Sequence, residues 1–553
     1  MLDPSAHLDS FARDNLPPGE EWAEMDWSSL PELAEYSKTI NCASELLDRH
    51  IDEGNGARSV LHFGDLTWSY AELLDRANRI AHVLVDELGI KPGNRVLLRA
   101  PNNPMYVAVW FAVMKVGAVA VATMPLLRAR ELTFMADKAR VAVALCDRRL
   151  DDELKQTLKD SACLERALYF SPTGEQTEAG SLEELMAEKS GDFANVMTSA
   201  DDVALIAFTS GTTGQPKGCM HFHRDIMAIC DTFSRYVLRP GPDDVFCGTP
   251  PVAFTFGLGA LVTFPMHAGA STALIETPGP DVLLQCIQQH SATVCFTAPT
   301  MFRAMTGLVA DHDISSLAKC VSAGETLPLP TFEAWRQATG ISTIDGIGST
   351  EMLHIFIAAA GDDIKPGATG KAIPGFEARV TDDDGNPVPA GTVGRLAVRG
   401  PTGCRYLDNP ERQAAYVQDG WNYTGDAYLC DEDGYFWFQA RADDMIISSG
   451  YNISGPEVEE AILDHDAVQE CAVVASPDPE RSFIVKAFVI LREGAAAADS
   501  TVKVLQDHVK ATIAPYKYPR AIEFVAELPR TETGKVQRFK LRQQELEKAG
   551  QAS

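Results

Sequence analysis

Thr209-Ser-Gly-Thr-Thr-Gly-Gln-Pro-Lys-Gly218 directly follows the apolar run Val203-Ala-Leu-Ile-Ala-Phe208, which reads as a strand. Glycines 211, 214 and 218 let the backbone approach a ligand closely and take torsions closed to other residues. The hydroxyls of Thr209, Ser210, Thr212 and Thr213 and the ammonium of Lys217 are donors suited to phosphate oxygens. The plain alternative is an exposed polar turn. A P-loop of the nucleotide-hydrolase type needs Gly-Lys-Ser/Thr at its end, but here Pro216 and Lys217 precede Gly218, so no such helix start is offered.

Outward from this loop, strand and helix alternate with short connections. Ser69 and Glu72 form a capping box. Tyr70, Leu73, Leu74, Ala77, Ile80, Ala81, Leu84 and Leu88 then recur at helical spacing until Gly89 and Pro92. Residues 96–100, 119–123 and 141–147 read as strands, and 104–117 as another helix. The alternation resumes from 203 to about 346 and predicts an α/β fold with parallel sheet covered on both faces. Near 380 the closely spaced turn signals of Asp382-Asp-Asp-Gly-Asn-Pro-Val-Pro-Ala-Gly391 suit a small antiparallel barrel or meander. Farther on come a helix near Pro456, strands at 469–475 and 486–491, a loop at 494–500, a helix from 501 and a strand at 522–525. They make an α+β unit of about 110 residues, an ordinary domain size. The expected organisation is a large N-terminal domain, residues 1–442, of stacked mixed αβ sheets with a β-barrel-like part at about 375–440, and a small α+β C-terminal domain, residues 443–553.

Composition narrows the function classes. A chain of 553 residues exceeds one ordinary core. Its 77 acidic against 48 basic residues, a net charge of −29, argue against a nucleic-acid partner. The 12 cysteines include no Cys-x-x-Cys pair and no Cys/His cluster at zinc spacing, so they read as reduced and buried, which suits a cytoplasm. The acidic N-terminus has no apolar core and is no secretory signal. Residues 245–275 carry no formal charge, but glycines and prolines interrupt them, which indicates buried strand, turn and helix rather than a membrane span.

Further stretches carry chemistry. They are Asp345-Gly-Ile-Gly-Ser-Thr-Glu351, Tyr423-Thr-Gly-Asp426, Arg441-Ala-Asp-Asp-Met-Ile-Ile-Ser-Ser-Gly-Tyr-Asn452 and Pro529-Arg-Thr-Glu-Thr-Gly-Lys535. With the loop at 209–218 they resemble, in order, the signature motifs of the adenylate-forming superfamily, which contains acyl-CoA synthetases, peptide-synthetase adenylation domains and luciferases. The likeness covers most of the chain and implies ATP, Mg²⁺ and coenzyme A as cofactors and co-substrates.

The resemblance assigns roles. Attack of a carboxylate on the α-phosphate of ATP brings two anions together, so cationic groups should supply most of the catalysis. Lys535 is expected to bridge the acid oxygen and the α-phosphate. Glu351, with the Thr212 hydroxyl, is expected to hold Mg²⁺, which prefers oxygen ligands. Thr209, Ser210, Gly211, Thr212, Thr213, Gly214 and Lys217 should cradle the phosphates. Asp345, Gly346, Gly348, Ser349 and Thr350 should lie on the adenine side. Asp426 should hold the ribose diol and Arg441 ribose or phosphate oxygens. Asp443 maps to a hinge about which the C-terminal domain is mobile, withdrawing Lys535 and bringing Gly450 to the pantetheine channel.

For the acid, Pro251-Val-Ala-Phe-Thr-Phe-Gly257 resembles the segment that bears an aromatic gate, Phe254. If extended, it places Phe254 and Phe256 on one face, and flat rings suit a flat acid. Ala253, Gly257, Gly324, Glu325, Gly346, Ile347 and Gly348 are expected to complete the slot, the glycines of the last two stretches leaving space beside the adenylate. Cys219–Asp225 and Ser349–Phe356 look most like benzoate and 2-aminobenzoate CoA ligases, with His354 packed rather than catalytic. The expected activity is 2-aminobenzoate–CoA ligation. Benzoate or hydroxybenzoate as substrate, loading of a carrier protein, and a non-catalytic nucleotide-binding regulator are the alternatives. The expected partners are a small aromatic carboxylic acid, ATP and CoA, with no nucleic acid and no membrane; a homodimer is among the expected assemblies.

Overall fold

Asn103 caps the helix Pro104–Lys115 by accepting the Tyr106 N–H, and all of that helix is buried, as expected of a helix apolar on every side. Its last residue, Lys115, is buried too and is neutralised by Asp48 at 2.6 Å. The helix belongs to a computed structural model that describes residues 3–175, 178–209, 216–441, 445–448, 451–478, 482–513, 515–531 and 534–552. The fold is mixed α/β with a large N-terminal body and a small C-terminal domain. By contacts the chain divides into Met1–Ala378 with Val398–Tyr423, and Arg379–Ala397 with Thr424–Ser553.

The first unit holds two large sheets. One has six strands in the order Arg166–Phe170, Val143–Asp147, Arg95–Arg99, Val119–Thr123, Val203–Thr209, Lys217–Phe222. Its neighbours are parallel except the last pair, which is antiparallel. The other has nine strands, with Ser59–Phe63, Ser271–Ala273, Val245–Gly248, Val294–Thr297, Lys319–Ser322 and Ile344–Gly348 as its parallel centre. The capping box at Ser69 is formed and starts the helix Tyr70–His82, which continues through a wider turn, Val83–Glu87. The uncharged stretch 245–275 is a strand, short helical turns and a second strand, largely buried. Among the described residues no helix is long and apolar enough to cross a membrane.

Strands Glu377–Thr381, Val393–Arg399, Val417–Gln418, Trp421–Cys430 and Phe436–Arg441 occupy the β-rich stretch. Beyond it, Val468–Asp478, Ser482–Leu491 and Ala521–Phe524 form a three-stranded sheet, accompanied by helices Gly455–Leu463, Asp499–Thr512 and Arg538–Ala552. Ile446, Val458, Ile462, Val473, Val485 and Leu505 are part of its own buried core.

Candidate active site

Strand Val203–Thr209 turns back antiparallel as Lys217–Phe222, with Thr209 opposite Lys217 at the neck of the glycine-rich loop. Ser210, Gly211, Thr212, Thr213 and Gly214 lie outside the described residues. Side chains alternate along a strand, so Lys217, Cys219 and His221 share one face. Residues 405–407 run along this strand. The Met220 N–H donates to the Arg405 carbonyl and the Leu407 N–H to the Gly218 carbonyl, each at 2.8 Å, and Tyr406 lies opposite Cys219.

That register brings Lys217, Thr350 and Glu351 together. The Tyr406 hydroxyl donates to Glu351 Oε1 at 2.6 Å. Lys217 Nζ donates to the same hydroxyl oxygen at 3.5 Å and stands 5.2 Å from the ring centre. His221 Nε2 donates to the Thr350 carbonyl at 2.7 Å. Ser349 Oγ accepts the Met352 N–H at 3.2 Å and lies 3.3 Å from the Tyr416 hydroxyl. Glu351 is only 8% exposed.

Beneath this cluster Arg405 and Asp225 form an ion pair at 2.7 Å, both fully buried. The guanidinium also lies 4.0 Å over the Phe222 ring, while the Phe222 N–H donates to the same carboxylate at 3.0 Å. Burial alone would raise the Asp225 carboxyl; the charge of Arg405 outweighs it and holds the group at about 2.

Asp345 sits on strand Ile344–Gly348 and lines a small cleft with Leu327, Phe332, Thr343 and Ala359. Its Oδ1 is shut from water without a hydrogen-bond partner, and burial pushes the carboxyl from 3.8 up to about 8. A raised carboxyl favours folding while it stays protonated, and that contribution is lost as pH rises from the unfolded value through the folded one. Asp345→Asn should therefore gain stability relative to the native chain between pH 4 and pH 8, about the window set by those two values. Melting temperatures of both proteins across this range test it; a constant difference would show that Asp345 is ionised and paired.

The slot glycines differ in kind. Gly324, at φ +87°, faces open space. A Cβ at Gly346 would stand 2.7 Å from the Ile355 side chain, and one at Gly348 2.6 Å from the His354 carbonyl. A side chain at either position would meet the protein's own atoms, while Gly348 itself is exposed. The shared face of Phe254 and Phe256 fails, because the chain is not extended through both. Phe254 is the cap residue of the helical turn Thr255–Leu258, and a helical step turns the next side chains about 100° each. Phe254, with Ala253, lines a small, mostly apolar pocket with Trp110, Leu205 and Leu258. Phe256 instead packs on Phe296 at 5.8 Å and His354 at 5.6 Å. His354 is buried against Phe264 and Phe233 as well, and burial lowers its ring to about 3, so it is neutral near pH 7. Gly257 admits the turn to the Pro251 carbonyl, which a Cβ would meet at 2.0 Å. Glu325 is half-buried next to Gly324, and Ile347 half-buried between Gly346 and Gly348.

In the second unit Asp426 is buried on strand Trp421–Cys430, where its backbone pairs with Arg441 on Phe436–Arg441. Lys535 is exposed at a tight turn. Arg530 and Val536 bridge its ends, Gly534 adopts φ +87°, and the Lys535 N–H donates to Thr531 Oγ1 at 3.1 Å. Asp443 and Gly450 lie outside the described residues.

Sequence reasoning missed Tyr406, Tyr416 and the Arg405–Asp225 pair, and it quoted His221 without a role. Reading 217–222 as a strand would have put His221 on the face of Lys217. Tyr406 lies 189 residues from Lys217 and 55 from Glu351, and no local period reports such contacts.

Comparison with known proteins agrees with this geometry. The model of the AMP-binding enzyme family matches residues 47–405, and that of the AMP-binding enzyme C-terminal domain matches 457–535. Benzoate–CoA ligase of Thauera aromatica is 35% identical, over 94% of this chain and 98% of its own length. An anthranilate–CoA ligase solved with anthranoyl-AMP superimposes with a TM-score of 0.87 at 33% identity, over 94% of this chain and 99% of its own. A benzoate–CoA ligase of Burkholderia xenovorans LB400 gives 0.81 at 30%, over 91% and 100%. The chain therefore belongs to the AMP-binding, adenylate-forming enzyme family, as an ATP-dependent, AMP-forming acid–CoA ligase.

Proposed function

We propose that the acid is a small aromatic one, 2-aminobenzoate first, joined to CoA through its acyl-adenylate. The observation that carries this reading is the group of rings, Phe256, Phe264, Phe296 and His354, in which Phe256 lies two residues from Phe254 and His354 three from Glu351. The similarity to benzoate– and anthranilate–CoA ligases supports it. A neutral His354 costs less to bury among those rings than a charged one.

In the first step the carboxylate oxygen bonds to the α-phosphorus and the bond to pyrophosphate breaks. Lys217 and Lys535 offset the negative charge of the phosphates and of the incoming acid. The buried acceptor of Asp345 suits the amino group of adenine, and Asp426 and Arg441 suit the ribose. Glu351 and the Thr212 hydroxyl are oxygen donors of the kind magnesium takes alongside phosphates, and one or two protein ligands suffice for it. That ion, when bound, supplies positive charge to the phosphate oxygens. In the second step CoA sulfur bonds to the acyl carbon and AMP leaves. The small domain, taken as residues 443–553, moves about Asp443 to withdraw Lys535 and bring Gly450 to the thiol's path.

A panel of ring-substituted benzoates and medium-chain fatty acids, with AMP and thioester both measured, tests the reading. The highest kcat/KM is expected for 2-aminobenzoate, with fatty acids at least roughly tenfold lower, the scale set by one or two misplaced methylenes. Preference for a fatty acid would overturn the aromatic assignment. Thioester formed on a carrier protein but not on free CoA would overturn the acceptor.

A further inference from the structure

The Tyr406 hydroxyl touches two groups that the reaction would otherwise use separately, the carboxylate of Glu351 and the ammonium of Lys217. We infer that Tyr406 is a positioning residue, whose hydroxyl fixes the Glu351 carboxylate for the divalent cation that accompanies ATP. The inference rests on the role given above to Glu351.

Three features of the structure lead to it. The phenol is buried, with Tyr406 1% exposed, so water does not compete for its single proton. Its backbone is pinned to the phosphate-loop strand beside Cys219 by the two bonds that flank it. That pairing fixes where the side chain leaves the backbone. Finally, the oxygen that donates to Glu351 at 2.6 Å also accepts from Lys217. An ammonium on the acceptor side polarises the hydroxyl and strengthens its bond to the carboxylate. A carboxylate held through one oxygen loses its rotation about the last side-chain bond, so its other oxygen is offered in one direction. Magnesium tolerates little departure from octahedral geometry and rewards such pre-orientation. The hydroxyl also stands between Lys217 and Glu351, so neither must spend its charge on a direct ion pair with the other.

Tyr406→Phe removes one oxygen and keeps the ring, and it separates a positioning role from a packing role. ATP binding to the full chain is measured by titration calorimetry with magnesium and again with a chelator present. In the native protein magnesium should tighten ATP. In Tyr406→Phe that enhancement should fall about tenfold, the low end for a bond to a charged group, while metal-free ATP binding changes little. In a Glu351→Gln background the same substitution should leave the magnesium effect unaltered. Placing 4-aminophenylalanine at 406 restores a donor and should restore the enhancement, which also gives a second protein if the phenylalanine variant folds poorly. An enhancement kept in full by Tyr406→Phe, or an equal loss with and without magnesium, would overturn the inference while leaving the ligase reading intact. Failure of the native protein to bind ATP would overturn both.

Discussion

Lys535→Ala should lower adenylate formation by roughly 10²–10³-fold, the usual effect of removing one group aimed at developing charge. Pyrophosphate release with 2-aminobenzoate measures this step. Thioester formation from supplied acyl-adenylate and CoA should stay within a few-fold of the native rate, because by then the phosphate chemistry is complete. The structure favours a clean test. The turn that presents Lys535 is closed by the Arg530–Val536 bridge, by Gly534 in the left-handed region and by the backbone bond to Thr531, all of which alanine retains. A tenfold or greater loss in both half-reactions would remove this lysine from the phosphate step.

The second large effect is on stability. Arg405→Met leaves Asp225 buried without its guanidinium, and breaking a buried pair on one side typically costs about 3–5 kcal/mol. Denaturant unfolding of the first unit should show the loss, and the double variant Arg405→Met with Asp225→Leu should recover most of it, since a well-packed apolar pair replaces the ionic one. The pH dependence has a definite sign. The native Asp225 carboxyl is held at about 2, below its ordinary 3.8, so its contribution is present above the ordinary value and is lost as pH falls toward the lower one. In Arg405→Met this acid-side loss should vanish. A variant as stable as the native chain and with the same acid profile would show that Asp225 does not depend on Arg405.

Much of this molecule was legible in short stretches of chain. The capping box at Ser69, a helix from Pro104 and strands read at 96–100, 119–123 and 141–147 follow from local period, cap and turn chemistry, and the structure has them at Ser69, Pro104–Lys115, Arg95–Arg99, Val119–Thr123 and Val143–Asp147. The glycine-rich loop and its companion motifs pointed to the family for a related reason: close approach to phosphate requires particular residues in an unbroken run. The Phe254–Phe256 reading went astray because a two-residue period is meaningful only in an extended chain, and Gly257 instead lets a helical turn close against Pro251.

What the chain order alone determined was which segments would be strands, helices and turns, since those depend on neighbours a few residues apart. The pairing of residues 405–407 with the phosphate strand, and hence the meeting of Lys217, Tyr406 and Glu351, was decided only by the tertiary structure. The physical reason is that sheet order and the burial of one side chain against another join residues far apart in the sequence, where no repeat or motif records which partner each will find.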